Sequence, residues 1–232
     1  MVYMGSKNRI AKYLCPIIQE KINYYKPDYY IEPFVGGANI IDKIKHNNKI
    51  GYDNNEFLIE LLNYVKNGGE LPDTYNKDFY NKVKENKDDF DKWLVGLVGF
   101  CTFSAKWFGG FPNAGSRDKI NEMVRNLRKQ AASLKNITFI HKDFQHLNPD
   151  NLKHSIIYCD PPYKNTTKYG KENFNYELFY DWCRKLSQNN IVLISEYEMP
   201  SDFNCIWSQE LKCGVQIGKQ QKRNEKLFTL NN

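Results

Sequence analysis

The chain lacks the cysteine and histidine patterns that mark disulfide-bonded or metal-bound proteins. Its six cysteines include no Cys-x-x-Cys pair, and its four histidines show no spacing typical of metal ligands. The cysteines lie mostly in apolar segments, which predicts reduced core residues, and we expect neither a disulfide framework nor a metal site. The cysteines are Cys15, Cys101, Cys159, Cys183, Cys205 and Cys213.

Long apolar runs are also missing. The first residues have no apolar signal-peptide core, and no run approaches the roughly 20 apolar residues of a membrane-spanning helix. This predicts a soluble, cytoplasmic protein with no membrane partner. There are no internal repeats, and 232 residues can bury one substantial core. The sequence does not determine the oligomeric state and is compatible with a monomer.

Positive charge is in modest excess. Lys and Arg outnumber Asp and Glu by 33 to 27, a net charge of +6. Such a balance favours a polyanionic partner over an acidic substrate, although a protein that is simply basic would show the same excess.

Helical and strand patterns alternate through the first seventy residues. Apolar residues at helical spacing predict helices at 10–24, 38–45 and 56–67, and short apolar runs predict strands at 29–31 and 49–52. This alternation is typical of a doubly wound parallel sheet.

The alternation stops at about residue 71 and resumes at 137. Residues 71–135 carry two basic or mixed helical segments around the aromatic stretch 100–111. The final residues predict a closing antiparallel pair of strands. The other predicted elements are strands at 137–140, 155–159 and 191–194 and a helix at 179–187.

We therefore predict an α/β fold with a doubly wound, mostly parallel, Rossmann-like sheet. Residues 1–70 and 136–232 form this main domain, and residues 71–135 form an inserted, mainly helical subdomain.

The tetrapeptide Asp160-Pro161-Pro162-Tyr163 follows the predicted strand 155–159. It therefore lies at a strand's carboxyl end, where open α/β sheets bind ligands. Two adjacent prolines remove two backbone donors and fix both φ angles. The turn then presents a carboxylate and a carbonyl to an exocyclic amine, while Tyr163 covers the ring of that ligand. The alternative is an ordinary proline-rich turn.

A second motif, Glu32-Pro33-Phe34-Val35-Gly36-Gly37, connects a predicted strand to a predicted helix. Glycines at such a junction let a ligand approach the backbone, and a helix N-terminus offers amides to a carboxylate. The motif is neither a Walker loop nor a complete dinucleotide pattern, so a phosphate site is unsupported.

Asp53 ends the next predicted strand, where an acidic side chain accepts hydrogen bonds from ribose hydroxyls. A ribose acceptor without a phosphate site indicates a nucleoside-type cofactor. S-adenosylmethionine fits, because it combines adenine, ribose and an amino-acid carboxylate.

Motif content and order together resemble the Dam-type adenine-specific (N6) DNA methyltransferases. That family has an aromatic-x-Gly-x-Lys motif, then Pro-Phe-x-Gly-Gly, then Asp-Pro-Pro-Tyr. The resemblance extends from Tyr3 to about Tyr197, with Tyr3 where the better-known members have tryptophan. The three motifs appear here as Tyr3-Met4-Gly5-Ser6-Lys7, Glu32 to Gly37, and Asp160 to Tyr163, and Lys142-Asp143-Phe144 and Ser195-Glu196-Tyr197 also match.

The resemblance implies a Rossmann-like methyltransferase fold and transfer of a methyl group from S-adenosylmethionine to the N6 amine of a flipped-out adenine in double-stranded DNA, with S-adenosylhomocysteine as product and no metal. It implies a prokaryotic or phage-encoded enzyme. The catalytic residues it implies are Asp160, Pro161, Pro162 and Tyr163, with Tyr169 or Phe174 covering the base. The cofactor-binding residues it implies are Tyr3, Lys7, Pro33, Phe34, Gly36, Gly37, Asp53, Asn54, Asp143, Phe144 and Asp160.

By the same resemblance, residues 71–135 contain the DNA-recognition element. A basic set in this region suits phosphate contacts, although a solvated helix face would look the same. The stretch 107–111 is compatible with core packing, a base wedge or a DNA-contacting loop. The predicted DNA-binding residues are Lys106, Arg117, Lys119, Arg125, Arg128 and Lys129.

Three alternatives stay open. A cytosine-amino or RNA-adenine methyltransferase would bind a similar exocyclic amine. A non-catalytic DNA-binding protein could retain the fold, although every motif position is intact. A nicotinamide-dependent oxidoreductase is disfavoured by the incomplete glycine pattern.

Overall fold

The computed structural model describes residues 1, 3–102, 104, 106–111, 117–164, 174–213 and 221–230, with the backbone alone at 117–118, 211–213 and 221–223. The strands are β1 (Tyr29–Glu32), β2 (Lys49–Asp53), β3 (Ile137–His141), β4 (Ser155–Cys159), β5 (Ile191–Glu196), β6 (Phe203–Cys213) and β7 (Gln221–Leu230). The α-helices are α1 (Ala11–Tyr25), α2 (Glu56–Lys66), α3 (Lys77–Glu85), α4 (Lys92–Phe100), α5 (Arg117–Leu134) and α6 (Tyr176–Leu186), and 3₁₀ helices lie at Lys7–Arg9, Lys87–Asp89, Phe144–His146 and Pro149–Asn151.

The strands form one sheet in the order β3-β2-β1-β4-β5-β7-β6. β1 to β5 pair in parallel, and β7 lies antiparallel between β5 and β6. The predicted fold class and the closing antiparallel pair are confirmed. The chain order reverses between β1 and β4, so the carboxyl ends of these two strands border the crevice in which open α/β sheets bind ligands.

The strands and helices form because their apolar residues match their geometry. Every residue of β4 is buried, as expected of a central parallel strand covered on both faces. In α1, Leu14, Ile18 and Ile22 recur at four-residue spacing and all three are buried against the sheet.

The cysteines follow the core expectation in part. Cys101, Cys159 and Cys183 are buried free thiols and Cys15 is half-buried, whereas Cys205 is exposed. The side chain of Cys213 lies outside the described part of the chain.

The region after residue 71 differs from the prediction in its helices. Two helices, α3 and α4, precede the aromatic stretch and α5 follows it, whereas the sequence pattern indicated two in all. The pattern missed α4 because this helix is apolar nearly all round and has no polar face to mark its period.

These helices contribute to two apolar clusters, and α4 contributes to both, with Leu97 and Phe100 in the main core. Tyr80 and Val83 of α3 pack with Val95 and Val98 of α4 in a small separate cluster. In contrast, α5 contributes to the main core, through Ile120, Met123, Val124, Leu127 and Leu134. The division at residues 70 and 136 stays a prediction.

The aromatic stretch 107–111 packs within the protein. The Trp107 ring stacks on Phe57 at a centroid distance of 5.4 Å, and Phe108 and Phe111 lie 5.7 and 5.8 Å from the ring of Tyr80. Core packing is therefore the role observed for these three rings.

The predicted helix 38–45 is wrong, because this segment is a succession of turns. Ala38 has a φ of 56°, in the left-handed region that a right-handed helix cannot include. The buried Lys49 ammonium donates to the carbonyls of Ile41 and Ile44, at 3.0 and 3.2 Å. A side chain from a neighbouring strand therefore binds carbonyls that a helix would pair with its own amides.

Gln130 of α5 binds the start of the same segment. Its Nε2 atom donates to the carbonyls of Gly37 and Ala38, both at 3.1 Å, and to Asp42 Oδ2 at 2.9 Å. α5 thus fixes the turn that carries the glycine pair.

We expect Gln130→Leu to lower the free energy of unfolding by about 1–3 kcal/mol, because two buried carbonyls lose their donor while side-chain volume is nearly kept. Urea denaturation measures this change. Ser133→Ala, an exposed change on the same helix, is the control and should stay within about 0.5 kcal/mol of the parent. Equal midpoints for Gln130→Leu and the parent would contradict the role of Gln130.

Candidate active site

An ion pair lies at the carboxyl end of β4. Lys7 Nζ is 3.1 Å from Asp160 Oδ1 and 3.8 Å from Glu225 Oε2, and Lys7 is only 8% exposed. Lys7 enters from a 3₁₀ helix whose first turn is capped by Ser6 Oγ, which accepts from the Asn8 amide at 3.3 Å. Because a buried ammonium is costly without partners, the two carboxylates stabilise the position of Lys7.

The surroundings change the protonation of this pair. Burial raises the pKa of Asp160 to about 6; Lys7 and a hydrogen bond from Tyr163 lower it, and Glu225 raises it. Burial alone would lower the pKa of Lys7, but Asp160 and Glu225 raise it above its ordinary value. Lys7 therefore stays protonated, while the Asp160 carboxyl gains its charge as the pH rises through about 6.

Tyr163 is held between these charges. Its hydroxyl donates to Glu225 Oε2 at 2.8 Å, and Lys7 Nζ lies 4.1 Å from the centre of its ring. The rings of Tyr163 and Tyr197 pack edge to face, with their centroids 4.6 Å apart. The second proline is also fixed, because Tyr176 donates its hydroxyl proton to the Pro162 carbonyl at 2.9 Å. The predicted role of Tyr163 as a cover for a ligand ring stays a prediction.

The glycine pair lies under Tyr3, beside the end of β1. Gly36 has a φ of +48°, which favours glycine, and a Cβ atom added at Gly37 would come within 2.9 Å of Tyr3 Cβ. Tyr3 in turn packs on Phe100, with ring centroids 5.4 Å apart. The glycines are therefore required by a close side-chain approach as well as by the turn.

Asp53 fixes this turn from the end of β2. Its two oxygens accept hydrogen bonds from the amides of Gly36 and Asn55, each at 3.0 Å. Burial raises the pKa of Asp53 to about 6, against the lowering effect of these bonds. Each oxygen can accept a second hydrogen bond. Asp53 is only 8% exposed, and its role as a ribose acceptor stays a prediction. Asn54, its neighbour, is exposed.

Phe34, Phe144 and Phe174 form a triangle of rings beside the same edge of the sheet. Their centroids are 5.4 to 5.9 Å apart. Asp143 directly precedes Phe144. Its carboxylate accepts a hydrogen bond from the Gln145 amide at 2.9 Å, and the residue is half-buried. Phe174 thus packs with the other two rings, while Tyr169 lies outside the described residues.

Sequence reasoning did not select Glu225 or assign a role to Glu196. Glu196, at the end of β5, accepts from the Lys164 and Tyr197 amides at 3.0 and 2.7 Å. Burial raises the pKa of Glu196 to about 7. Glu225 belongs to no recognised motif. Its only signal in the sequence is its position two residues before Leu227, which places both side chains on the same face of a strand.

The predicted DNA-binding residues have different surroundings. Arg125, Lys129 and Lys106 are exposed and Lys119 is half-buried, whereas the Arg117 side chain is not described. Arg128 also is exposed, yet its guanidinium pairs with Asp73 Oδ1 at 2.6 Å and donates to the Leu71 carbonyl. The sequence could not indicate this ion pair.

Within the described residues, no three His, Cys, Asp or Glu side chains converge to bind a metal ion. None of the helices in that part of the chain combines the length and the apolar character needed to span a bilayer.

Known proteins similar to this chain are methyltransferases. The type II methyltransferase M.FokI of Planomicrobium okeanokoites is 24% identical over 78% of this chain, which spans 31% of that protein. The type II methyltransferase M.MjaIII of Methanocaldococcus jannaschii is 24% identical over 87% of this chain and 84% of its own length. TrmN from Thermus thermophilus matches 93% of this chain and 48% of its own, with 12% identity and a TM-score of 0.38.

A family model matches residues 3–208, which include the Lys7–Asp160 pair, the glycine turn and Asp53. The chain therefore belongs to the D12 class of N6 adenine-specific DNA methyltransferases.

Proposed function

We propose that this chain transfers a methyl group from S-adenosylmethionine to the N6 amine of adenine in double-stranded DNA. The observation that carries the proposal is the Lys7–Asp160 pair at the carboxyl end of β4, followed by two prolines, in a chain of this family. S-adenosylhomocysteine is the product, and neither a metal nor a second subunit is required by this scheme.

The residues beside the pair fit the cofactor. Asp53 and Asp143, at the carboxyl ends of β2 and β3, suit the ribose hydroxyls and the adenine amine, and Phe144 with Phe34 offers aromatic contact. The residues that would hold the methionine part are Tyr3, Lys7, Pro33, Gly36, Gly37 and Asn54. When bound, S-adenosylmethionine supplies an electrophilic methyl group.

Asp160 orients the adenine amine. The nitrogen lone pair is delocalised into the ring, so the amine is a poor nucleophile. Hydrogen bonds from the amine to the Asp160 carboxylate and to the Pro161 carbonyl favour a tetrahedral nitrogen with its lone pair directed at the methyl group. With the amine held by Asp160 and the Pro161 carbonyl, the nitrogen would displace S-adenosylhomocysteine from the methyl group, and the methylated ammonium would lose its proton to water.

The target must leave the DNA helix to reach this site. Base-modifying enzymes flip the nucleotide out of the duplex, because the reacting atom is otherwise stacked and paired. Tyr163 would cover the flipped base, and the exposed basic residues of α5 would contact phosphates. DNA and S-adenosylmethionine occur together in the cytoplasm of prokaryotic cells, where we place the enzyme.

We expect Asp160→Ala to reduce methyl transfer by roughly a hundredfold or more, because the amine loses its charged acceptor. Transfer from radiolabelled S-adenosylmethionine to unmethylated DNA measures it, and sequencing that detects modified bases identifies the methylated base and its sequence context. The control is Asp150→Ala, an exposed carboxylate that precedes β4 at the opposite edge of the sheet. Near-normal turnover in Asp160→Ala would refute the role of Asp160.

We expect Asp53→Ala to weaken S-adenosylhomocysteine binding by roughly ten to a hundredfold, because the ribose loses a charged acceptor. Calorimetry measures the affinity. The matched control is Gln130→Leu, which disturbs the same glycine turn from its other side without removing a proposed ribose contact. Equal losses in both variants would mean that the turn, and not a ribose contact, explains the effect.

We expect Arg125→Gln combined with Lys129→Gln to weaken binding to all DNA sequences. The slope of log affinity against log salt should flatten by about 0.9 per lost phosphate contact. Arg128 is left intact because its ion pair with Asp73 stabilises the loop before α3. Fluorescence anisotropy at several salt concentrations tests this, with Lys185→Gln, an exposed change on α6, as control. An unchanged slope would assign these side chains to a solvated face.

A further inference from the structure

Glu225 belongs to the part of β7 that extends beyond the carboxyl ends of the parallel strands. β7 pairs with β5 as far as Lys226, which lies opposite Glu196, the last residue of β5. Glu225 is therefore the first residue of β7 beyond the carboxyl end of β5. The hairpin of β6 and β7 thereby places a carboxylate at the strand-end site, although it lies more than 60 residues from Asp160 in sequence.

Glu225 contacts both partners of Asp160. Its Oε2 atom accepts from the Tyr163 hydroxyl at 2.8 Å and lies 3.8 Å from Lys7 Nζ. Glu225 is 8% exposed, so these contacts occur where water screens charge little. One buried ammonium thus faces two carboxylates, Asp160 at 3.1 Å and Glu225 at 3.8 Å.

Because one ammonium faces two carboxylates, the negative charge of Asp160 is only partly neutralised. With Lys7 alone beside it, Asp160 would receive the full attraction of the ammonium and become a weaker acceptor for a neutral amine. Glu225 draws on the same ammonium and holds the Tyr163 hydroxyl at the same time. Glu225 therefore holds the Tyr163 ring and the Lys7 side chain each in one position beside Asp160.

We propose that Glu225 is a positioning residue of this active site: it fixes Tyr163 and shares Lys7 with Asp160, so that the Asp160 carboxylate keeps acceptor capacity for the adenine amine. The inference rests on the proposed function for the identity of the amine. The contacts that carry it do not depend on that function.

Other ionisable groups also face Asp160 and Lys7. Glu32 and Tyr158 come from β1 and β4, and Glu196 and Tyr197 come from the end of β5. Both glutamates are bound by neighbours of their own, Glu32 by the Tyr30 hydroxyl at 2.7 Å and Glu196 by two amides. Glu225 differs because it contacts Lys7 and the Tyr163 hydroxyl, both of which also act on Asp160.

The first test measures Asp160 directly, without turnover. In the apo protein with ¹³C-labelled aspartate carboxyls, the Asp160 resonance is assigned through Asp160→Asn and titrated with pH. Because the Glu225 charge raises the pKa of Asp160, Glu225→Gln should move this titration to lower pH. Glu210→Gln, an exposed change on the partner strand β6, should leave it in place. An unmoved titration in Glu225→Gln would overturn the inference.

The second test concerns catalysis. Methyl transfer needs ionised Asp160 and falls as pH drops through its pKa, so the acid limb of kcat should move to lower pH in Glu225→Gln. Glu225→Ala, which also leaves the Tyr163 hydroxyl without its acceptor, should lower kcat about tenfold with little change in KM for DNA. A normal kcat in both variants would overturn the positioning role.

If Glu225→Ala folds poorly, a double-mutant cycle with Glu225→Gln tests the same coupling. Tyr163→Phe removes the hydroxyl that Glu225 holds, so the effects of Glu225→Gln and Tyr163→Phe on kcat should be strongly non-additive. Additive effects would refute the coupling. If the parent protein fails to methylate DNA while the Asp160 titration still moves in Glu225→Gln, the proposed function fails and the coupling stands.

Discussion

The ion pairs of the buried Lys7 ammonium are the interactions on which the candidate active site depends. This ammonium joins the N-terminal segment, the turn after β4 and the final hairpin through contacts to Asp160, Glu225 and the ring of Tyr163. Each of these carboxylates is costly to bury alone, and their charges repel each other. The lysine makes their approach possible, so the position of the Asp160 carboxylate is set by segments far apart in the sequence.

The parallel sheet positions the other residues of the candidate site. The carboxyl ends of β1, β2, β3 and β4 bring the glycine turn, Asp53, the Asp143 segment and Asp160 to one edge, on either side of the point where the chain order reverses. Asp53 joins two of these ends by holding the Gly36 amide at 3.0 Å. A residue proposed to bind the cofactor therefore also holds the turn against which the cofactor would lie.

Helix α5 contacts the candidate site and also carries part of the predicted DNA-binding surface. Gln130 of α5 holds the Gly37 and Ala38 carbonyls, while Arg125 and Lys129 of the same helix are exposed. One helix thus connects the glycine turn to the proposed phosphate contacts. Substitutions in α5 are consequently expected to disturb the glycine turn when they reach Gln130, and not when they stay on the exposed face.

The sequence by itself determined the strand alternation, the fold class and the Asp160 to Tyr163 motif, because these depend on local apolar periodicity and on short contiguous residues. It failed at 38–45, where Lys49 and Gln130 bind carbonyls that a helix would use, and at α4, whose uniform apolarity hides its period. It also could not select Glu225, or foresee that Arg128 is paired with Asp73. Only the tertiary structure decided the turns at 38–45, the place of Glu225 and the pairing of Arg128, since each depends on a hydrogen bond or ion pair with a residue distant in sequence.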